Sequence, residues 1–293
     1  MSLFPPTPGP RPRFYLFMGD TDMKKGMVLV GGYGDATFEQ VLRKHKDAGF
    51  DGVEVVAADE GGWFHLNSTP EDVAALRAAS QRAGVEIGSV MAGAWKNPLS
   101  HPDPKVREKG QALVSKAIEG AKGMGAAAVL VVPAVVNEEV TYEQAWARSQ
   151  GVLRELVPAA ERAGVCLCIE NVWNKFLLSP VDFCRYVDEF QSDAVRAYFD
   201  VGNVLVYGYP EHWIRSLGRR IRKIHLKDFK TGIGNVTGFT YLLQGDVNWP
   251  KVMGAIREIG YDDYLTGEFG VYRNAPEVML RHTSAAMDAI LKM

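Results

Sequence analysis

Four side chains able to hold a metal ion, Glu170, Asp200, His225 and Glu268, stand at or near the ends of four apolar segments in the second half of the chain. The segments read VCLCIEN (165–171), RAYFDVGN (196–203), IRKIHLKD (221–228) and YLTGEF (264–269). A single carboxylate at a strand end is ordinarily a solvated cap. Four in succession, separated by stretches long enough for helices, are what a parallel barrel needs to aim oxygen and nitrogen donors at one point. Three carboxylates and one imidazole, with no thiolate, suit Mn²⁺, Mg²⁺, Co²⁺ or Zn²⁺. The pattern therefore predicts one bound divalent ion without choosing its identity.

The elements that would position these residues can be traced along the whole chain. Strand-like runs alternate with helix-patterned stretches, the signature of repeated βα units around a parallel sheet. MVLVGG (27–32), GVEVV (52–56), VEIGSV (85–90) and AAVLVVP (127–133) join the four segments above to make eight strands. The expected fold is an α/β protein, a (β/α)₈ TIM barrel. Helix signals support the spacing: a helix begins near Thr37 and stops at Gly49, and another starts at Ser68-Thr69-Pro70-Glu71-Asp72, with Pro70 suited to the first turn. Three helices run into strands through related text, KDAGFDGVEV, QRAGVEIGSV and ERAGVCLCIE, each with a glycine placed for the left-handed turn. Alternation sends every second strand side chain into a barrel, so Cys166, Cys168 and Glu170 share one face, two small buried thiols below an inward carboxylate. The stretches 91–105 and 229–248 follow strands and belong to the face where barrel enzymes build their sites.

At 293 residues, with 47% apolar and 23% charged residues, the chain fits one barrel domain spanning 1–293, including a proline-rich N-terminal arm over about residues 1–13. A net charge of −2 supplies no global pull toward nucleic acid or an anionic membrane. The N-terminus lacks the order of a signal peptide, and the apolar run Phe14 to Met18 is too short to span a bilayer. The three cysteines, Cys166, Cys168 and Cys184, fit neither a zinc–thiolate site nor a disulfide framework, and a reduced, cytoplasmic setting is expected.

The motifs IEN (169–171), DVGN (200–203), HLKD (225–228), GDVNW (245–249) and YDDYLTGE (261–268), with AGFDGVEV (48–55), resemble the sugar phosphate isomerase/epimerase family of the xylose isomerase-like TIM barrel superfamily. The likeness runs over nearly the whole chain. It implies that all four residues bind one divalent ion, that Glu170 and Glu268 are also the acid/base pair, and that Asp200 and His225 are ligands only. An ion chelated by the carbonyl and neighbouring hydroxyl of a ketose or ketose phosphate would acidify the adjacent C–H, and two carboxylates on opposite faces would move the proton through an enediolate. Epimerisation or aldose–ketose isomerisation follows from where the proton returns. The same abstraction would serve a dehydratase or lyase acting on a keto-sugar or inosose, the principal alternative. A remote alternative is the apurinic endonuclease branch, whose histidine-rich three-metal centre finds few ligands among the histidines at 45, 65, 101, 212, 225 and 282. A small-molecule sugar or sugar phosphate is the expected partner, with no nucleic acid and no membrane, and the resemblance together with the arm suggests a homo-oligomer.

Several neighbours are candidates to touch substrate. Lys227 faces the same way as His225 and could hold a substrate oxygen or phosphate, or pair with Asp228 or a nearby carboxylate. Glu54 projects inward on the second strand, toward either a substrate hydrogen bond or a buried salt bridge. Asn203 occupies a place where many relatives carry histidine, and Phe176 one where free-ketose epimerases carry a carboxylate, which suggests a different substrate set. Trp95, His101 and Trp173 fall on loops at the site end, and Arg273, just beyond Glu268, could meet a phosphate.

Overall fold

The parallel strands form where the sequence is apolar on both faces, because each is sandwiched between the barrel interior and a helix. In the computed structural model, which describes residues 23–31 and 33–293, eight of them close on themselves. They are β1 (Lys24–Val28), β2 (Gly52–Ala58), β3 (Glu86–Ala92), β4 (Ala128–Val131), β5 (Cys166–Glu170), β6 (Val195–Asp200), β7 (Ile221–Leu226) and β8 (Tyr264–Gly267). Each pairs in parallel with its sequence neighbours, and β8 returns to β1 through the register Lys24 with Tyr264 and Met27 with Gly267. The result is the expected TIM barrel. The proline-rich arm and Phe14 to Met18 lie outside the described residues.

Eight helices alternate with the strands: α1 (Phe38–Asp47), α2 (Pro70–Ala83), α3 (Pro104–Met124), α4 (Tyr142–Ala163), α5 (Pro180–Asp188), α6 (Pro210–Leu217), α7 (Trp249–Glu258) and α8 (Pro276–Leu291). Their ends follow local chemistry. Thr37, Thr69 and Thr141 each close a capping box with the residue three positions on, and Pro70 opens α2. Gly84 and Gly164 take φ values of 65° and 67°, a region that costs a residue with a Cβ and lets the chain turn directly into the next strand.

The first strand departs from expectation, running over 24–28 rather than 27–32. Lys24 and Lys25 disguise its start, yet their backbone pairs with Tyr264 and Leu265 while their ammonium groups reach out to Glu86 and Asp288 at the rim. Barrel closure, a long-range requirement, overrides the local apolar pattern.

Val28, Met91, Ala128, Leu130, Cys166, Cys168 and Tyr198 fill the barrel interior as a cluster separate from the strand–helix core. Both cysteines are thus inward and buried, as alternation predicted, and all three cysteines are free. Below them the Tyr264 ring lies across the floor. A Cβ on Gly52 would come within 2.6 Å of that ring and one on Gly88 within 3.1 Å, so glycine leaves the space the ring occupies. Tyr264 donates to Glu86 at 2.6 Å, and the Lys223 and Lys24 ammonium groups lie 4.8 and 5.4 Å from its centroid. The opposite end is the one built from long loops, and residues 227–248 include a small antiparallel ribbon, Asp228–Phe229 with Phe239–Thr240. Among the described residues no helix is long and apolar enough to cross a membrane.

Candidate metal centre

Glu170 ends β5, Asp200 ends β6, His225 is one residue from the end of β7, and Glu268 follows β8 by one residue. Asp200 and His225 face each other in register, as do His225 and Thr266, so inward-facing positions on successive strands arrive at one height. One donor atom from each of the four lies within 4.8 Å of the others. His225 Nδ1 sits 2.9 Å from Glu170 Oε1 and 3.3 Å from Glu268 Oε2. Glu170, Asp200 and His225 are buried, while Glu268 keeps about a fifth of its side chain open to the mouth.

The motifs around these residues lock the strand ends together. The Asn171 side chain donates to the Asp200 carbonyl at 3.0 Å and accepts from the Asp200 N–H at 2.9 Å, and the Asn203 amide donates to the Asn171 carbonyl at 2.9 Å. The Asn203 N–H in turn donates to Asp200 Oδ1 at 2.8 Å, which leaves Oδ2 facing the cluster. Asn203 was expected to touch substrate; it is buried and its amide is committed to the β5–β6 junction. Gly202 allows the next layer to come close, since a Cβ there would stand 2.7 Å from the Lys227 Cβ.

Glu54 likewise faces inward but is fully buried beneath the imidazole and away from the open mouth. His225 Nε2 donates to its Oε1 at 3.1 Å, and the Ser89 hydroxyl donates to its Oε2 at 2.5 Å. The buried-ion-pair reading of Glu54 therefore describes its surroundings better than a substrate hydrogen bond. Lys227 lies above, its ammonium 2.6 Å from Glu268 Oε2 and 3.2 Å from Asp200 Oδ2, and not paired with Asp228.

Charge in this buried volume does not balance. Glu54, Glu170, Asp200 and Glu268 surround two cationic groups, His225 and Lys227, so with all ionised two negative charges remain. Burial, joined by the nearby Glu268 charge, pushes the Glu170 carboxyl up to about 7 against the pull of His225, and the same two causes raise Asp200 despite Lys227. Burial would raise Glu268 too, but Lys227 and His225 hold it well below the ordinary carboxylate range. For His225 burial disfavours the cation, yet Glu54 and Glu268 overcome this and hold the ring protonated well above its usual range. Asp200 Oδ2 and Glu268 Oε2 are buried without an aligned hydrogen bond, although the Lys227 ammonium is near both. Two orphaned carboxylate oxygens, the Glu170 carboxylate and an imidazole nitrogen are a donor set that a divalent cation fits.

The remaining candidates spread around the mouth. Trp173 is partly exposed, donates its indole N–H to the Asn203 carbonyl at 2.8 Å, and packs on Phe229 and Phe239 at 5.3 and 5.0 Å. Phe239 also lies 5.6 Å from the Lys227 ammonium, so the ribbon roofs that side of the cluster. His101 accepts the Asp103 N–H through Nδ1 at the start of α3, Trp95 is exposed on a short 3₁₀ turn, and Arg273 is exposed in the loop after β8. The structure brings none of these three into the four-residue cluster. Phe176 is buried in an aromatic group with Tyr142, Trp146 and Tyr186. Sequence reasoning offered Asp228 only as a partner for Lys227; its carboxylate instead takes the N–H groups of Phe229 and Val247 and the Trp249 indole. The HLKD and GDVNW motifs carried the signal, joined by Gly245, where a Cβ would collide with Asp228 Oδ1 at 2.2 Å.

Comparison with known proteins agrees with this geometry. The sequence profile of the xylose isomerase-like TIM barrel matches residues 42–289. The chain belongs to this family. A family relative, the L-ribulose-5-phosphate 3-epimerase of Salmonella typhi, is 26% identical over 223 residues, covering 75% of this chain and 78% of the relative. A D-tagatose 3-epimerase-like protein superposes with a TM-score of 0.77 at 23% identity, covering 92% of this chain and 99% of that one. The D-psicose 3-epimerase of Clostridium cellulolyticum H10 gives 0.74 at 19% identity, with 92% and 98% covered. These structures share the barrel of the family.

Proposed function

We propose that this enzyme is a divalent-metal-dependent sugar isomerase or epimerase that acts on a ketose or ketose phosphate through an enediolate. The convergence of Glu170, Asp200, His225 and Glu268 at one barrel mouth carries the reading, and the names of the relatives, 3-epimerases of ketoses and of a ketose phosphate, support the substrate class. An ion held by these four residues would polarise the substrate carbonyl and stabilise the negative charge that develops on its oxygen.

The chain's own residues would do the rest. Glu170 and Glu268 come from β5 and from beyond β8, at the two ends of the ligand series, and so flank a carbon placed between them. One carboxylate takes the α-proton from one face and the other returns a proton to the opposite face, which inverts the carbon. Asp200 and His225 are ligands and Lys227 a contact for substrate oxygen. Trp173 and Phe239 exclude water from that side, and Arg273 and His101 stand at the outer rim. A three-metal nuclease centre gains no support, since His225 is the one histidine of the six within the cluster.

Metal analysis should find about one divalent ion per chain. With a panel of ketoses and ketose phosphates in D₂O, the wild type should incorporate deuterium at the carbon next to the carbonyl, and Glu268→Gln should fold normally but lose the exchange. Retained exchange in Glu268→Gln removes this glutamate from the acid/base pair. Exchange accompanied by loss of water would identify a dehydratase.

A further inference from the structure

Beneath the four ligands, His225 meets a second set of groups that the reaction does not use. Imidazole has two nitrogens, and in its neutral form one carries the proton while the other offers a lone pair. Here Nδ1 faces Glu170 and Glu268, and Nε2 faces Glu54 at 3.1 Å. The carboxylate of Glu54 can only accept, so the proton on that side belongs to Nε2. Glu54 is itself fixed, because it is completely buried and its other oxygen takes the Ser89 hydroxyl at 2.5 Å. Ser89 continues to the Tyr198 hydroxyl at 3.4 Å, and the Tyr198 ring packs on the imidazole at 4.3 Å between centroids, tilted by 47°. These contacts join β2, β3, β6 and β7 around one ring.

We propose that Glu54 is a positioning residue of the metal centre: its carboxylate holds the proton on His225 Nε2 and fixes the ring so that Nδ1 is the ligating nitrogen. The proposal rests on the metal-dependent reading above. A ring without this partner can flip about its side-chain bond or exchange tautomers, and either change withdraws the lone pair from the other three ligands. Carboxylate partners of ligating histidines ordinarily act in this way, fixing tautomer and orientation and raising the basicity of the ligand. The alternative of a substrate hydrogen bond has no oxygen left to make it, since each Glu54 oxygen is engaged and neither reaches solvent.

Two variants separate charge from position. Glu54→Gln keeps an oxygen that can accept from Nε2 but removes the charge; Glu54→Leu removes both. Mn²⁺ affinity is measured by competition with a chelator, with far-ultraviolet circular dichroism of the metal-free proteins as the control for folding. Nitrogen-15 spectra of histidine-labelled protein report the His225 tautomer independently of activity. Affinity should fall about 10- to 100-fold in Glu54→Leu and by less in Glu54→Gln. The wild type should show Nε2 protonated with metal bound, and Glu54→Leu a mixture of tautomers. Unchanged affinity and an unchanged tautomer in a folded Glu54→Leu would overturn the proposal, and if that variant does not fold, an unchanged affinity in Glu54→Gln overturns the part assigned to charge. A wild type that binds no divalent ion would instead defeat the metal-dependent reading, a result distinct from either.

Discussion

Replacing Asp228 tests whether one buried carboxylate holds the segment that roofs the candidate metal centre. Its Oδ1 accepts the Phe229 N–H at 2.9 Å and the Val247 N–H at 3.2 Å, and its Oδ2 accepts the Trp249 indole N–H at 3.2 Å. Asp228 is fully buried and Trp249 almost so. Each buried donor left without a partner costs about 1–3 kcal/mol. Asp228→Ala strands all three, and after partial rescue by water the expected loss is about 3–6 kcal/mol. Asp228→Asn keeps one oxygen for the two backbone donors but turns an amide N–H₂ toward the indole, so its loss should be about 1–3 kcal/mol. Urea unfolding gives the totals. Native-state proteolysis tells where they fall, because the hydrogen bonds Lys230 to Gly238, Asp246 to Phe229 and Thr231 to Asp246 lie within residues 229–248, and outside it the segment holds to the Gly270 carbonyl through the Tyr241 hydroxyl and to Trp173 through Phe229 and Phe239. The alanine variant should be cut in this segment well before the wild type. Stability within about 0.5 kcal/mol of wild type, the range of ordinary surface changes, would refute the account.

Two further outcomes concern packing and pH. Gly120 on α3 would place a Cβ 2.2 Å from the buried Phe64 ring, so Gly120→Ala sets a helix-propensity gain of up to about 1 kcal/mol against an overpacking cost of about 1–3 kcal/mol and should lower the melting temperature. A rise would mean that Phe64 moves freely. His45 is buried in α1, where Nδ1–H donates to the Val41 carbonyl at 2.8 Å, and burial pushes its pKa down from 6.5 to about 4. The unfolded chain then takes up the proton first, so stability is full above pH 6.5 and falls as the pH drops toward 4, by at most about 3 kcal/mol. His45→Leu should flatten the urea midpoint over that window, and parallel wild-type and variant curves would exclude His45 as the source.

What could be read from the sequence, and what could not, divides along the range of the interactions. The four converging residues were legible because each closes an apolar run and the runs recur at βα spacing. Alternation placed Glu54, Cys166 and Cys168 inside the barrel, but it left open a pair between Lys227 and Asp228, to which the structure gives different partners. It could not say that Glu54 meets His225, 171 positions away, because that contact exists only once the barrel has closed. Asn171 and Asn203 sat within recognised motifs, yet their work is between two strand ends, and neither strand alone reveals it. The start of β1 was hidden for the same reason, since its lysines look like loop until Tyr264 supplies the register.

The aromatic floor at Tyr264 gives the barrel a direction of traffic. With a phenol ring lying across one end, flanked by ammonium groups, and packed apolar side chains above it, the vessel opens at the ligand end. On the proposed function, an ion, a sugar and every exchanged proton would arrive and depart through the same doorway. The ribbon tethered by Asp228 stands beside that doorway, so a residue outside the four-residue cluster would help to set its width.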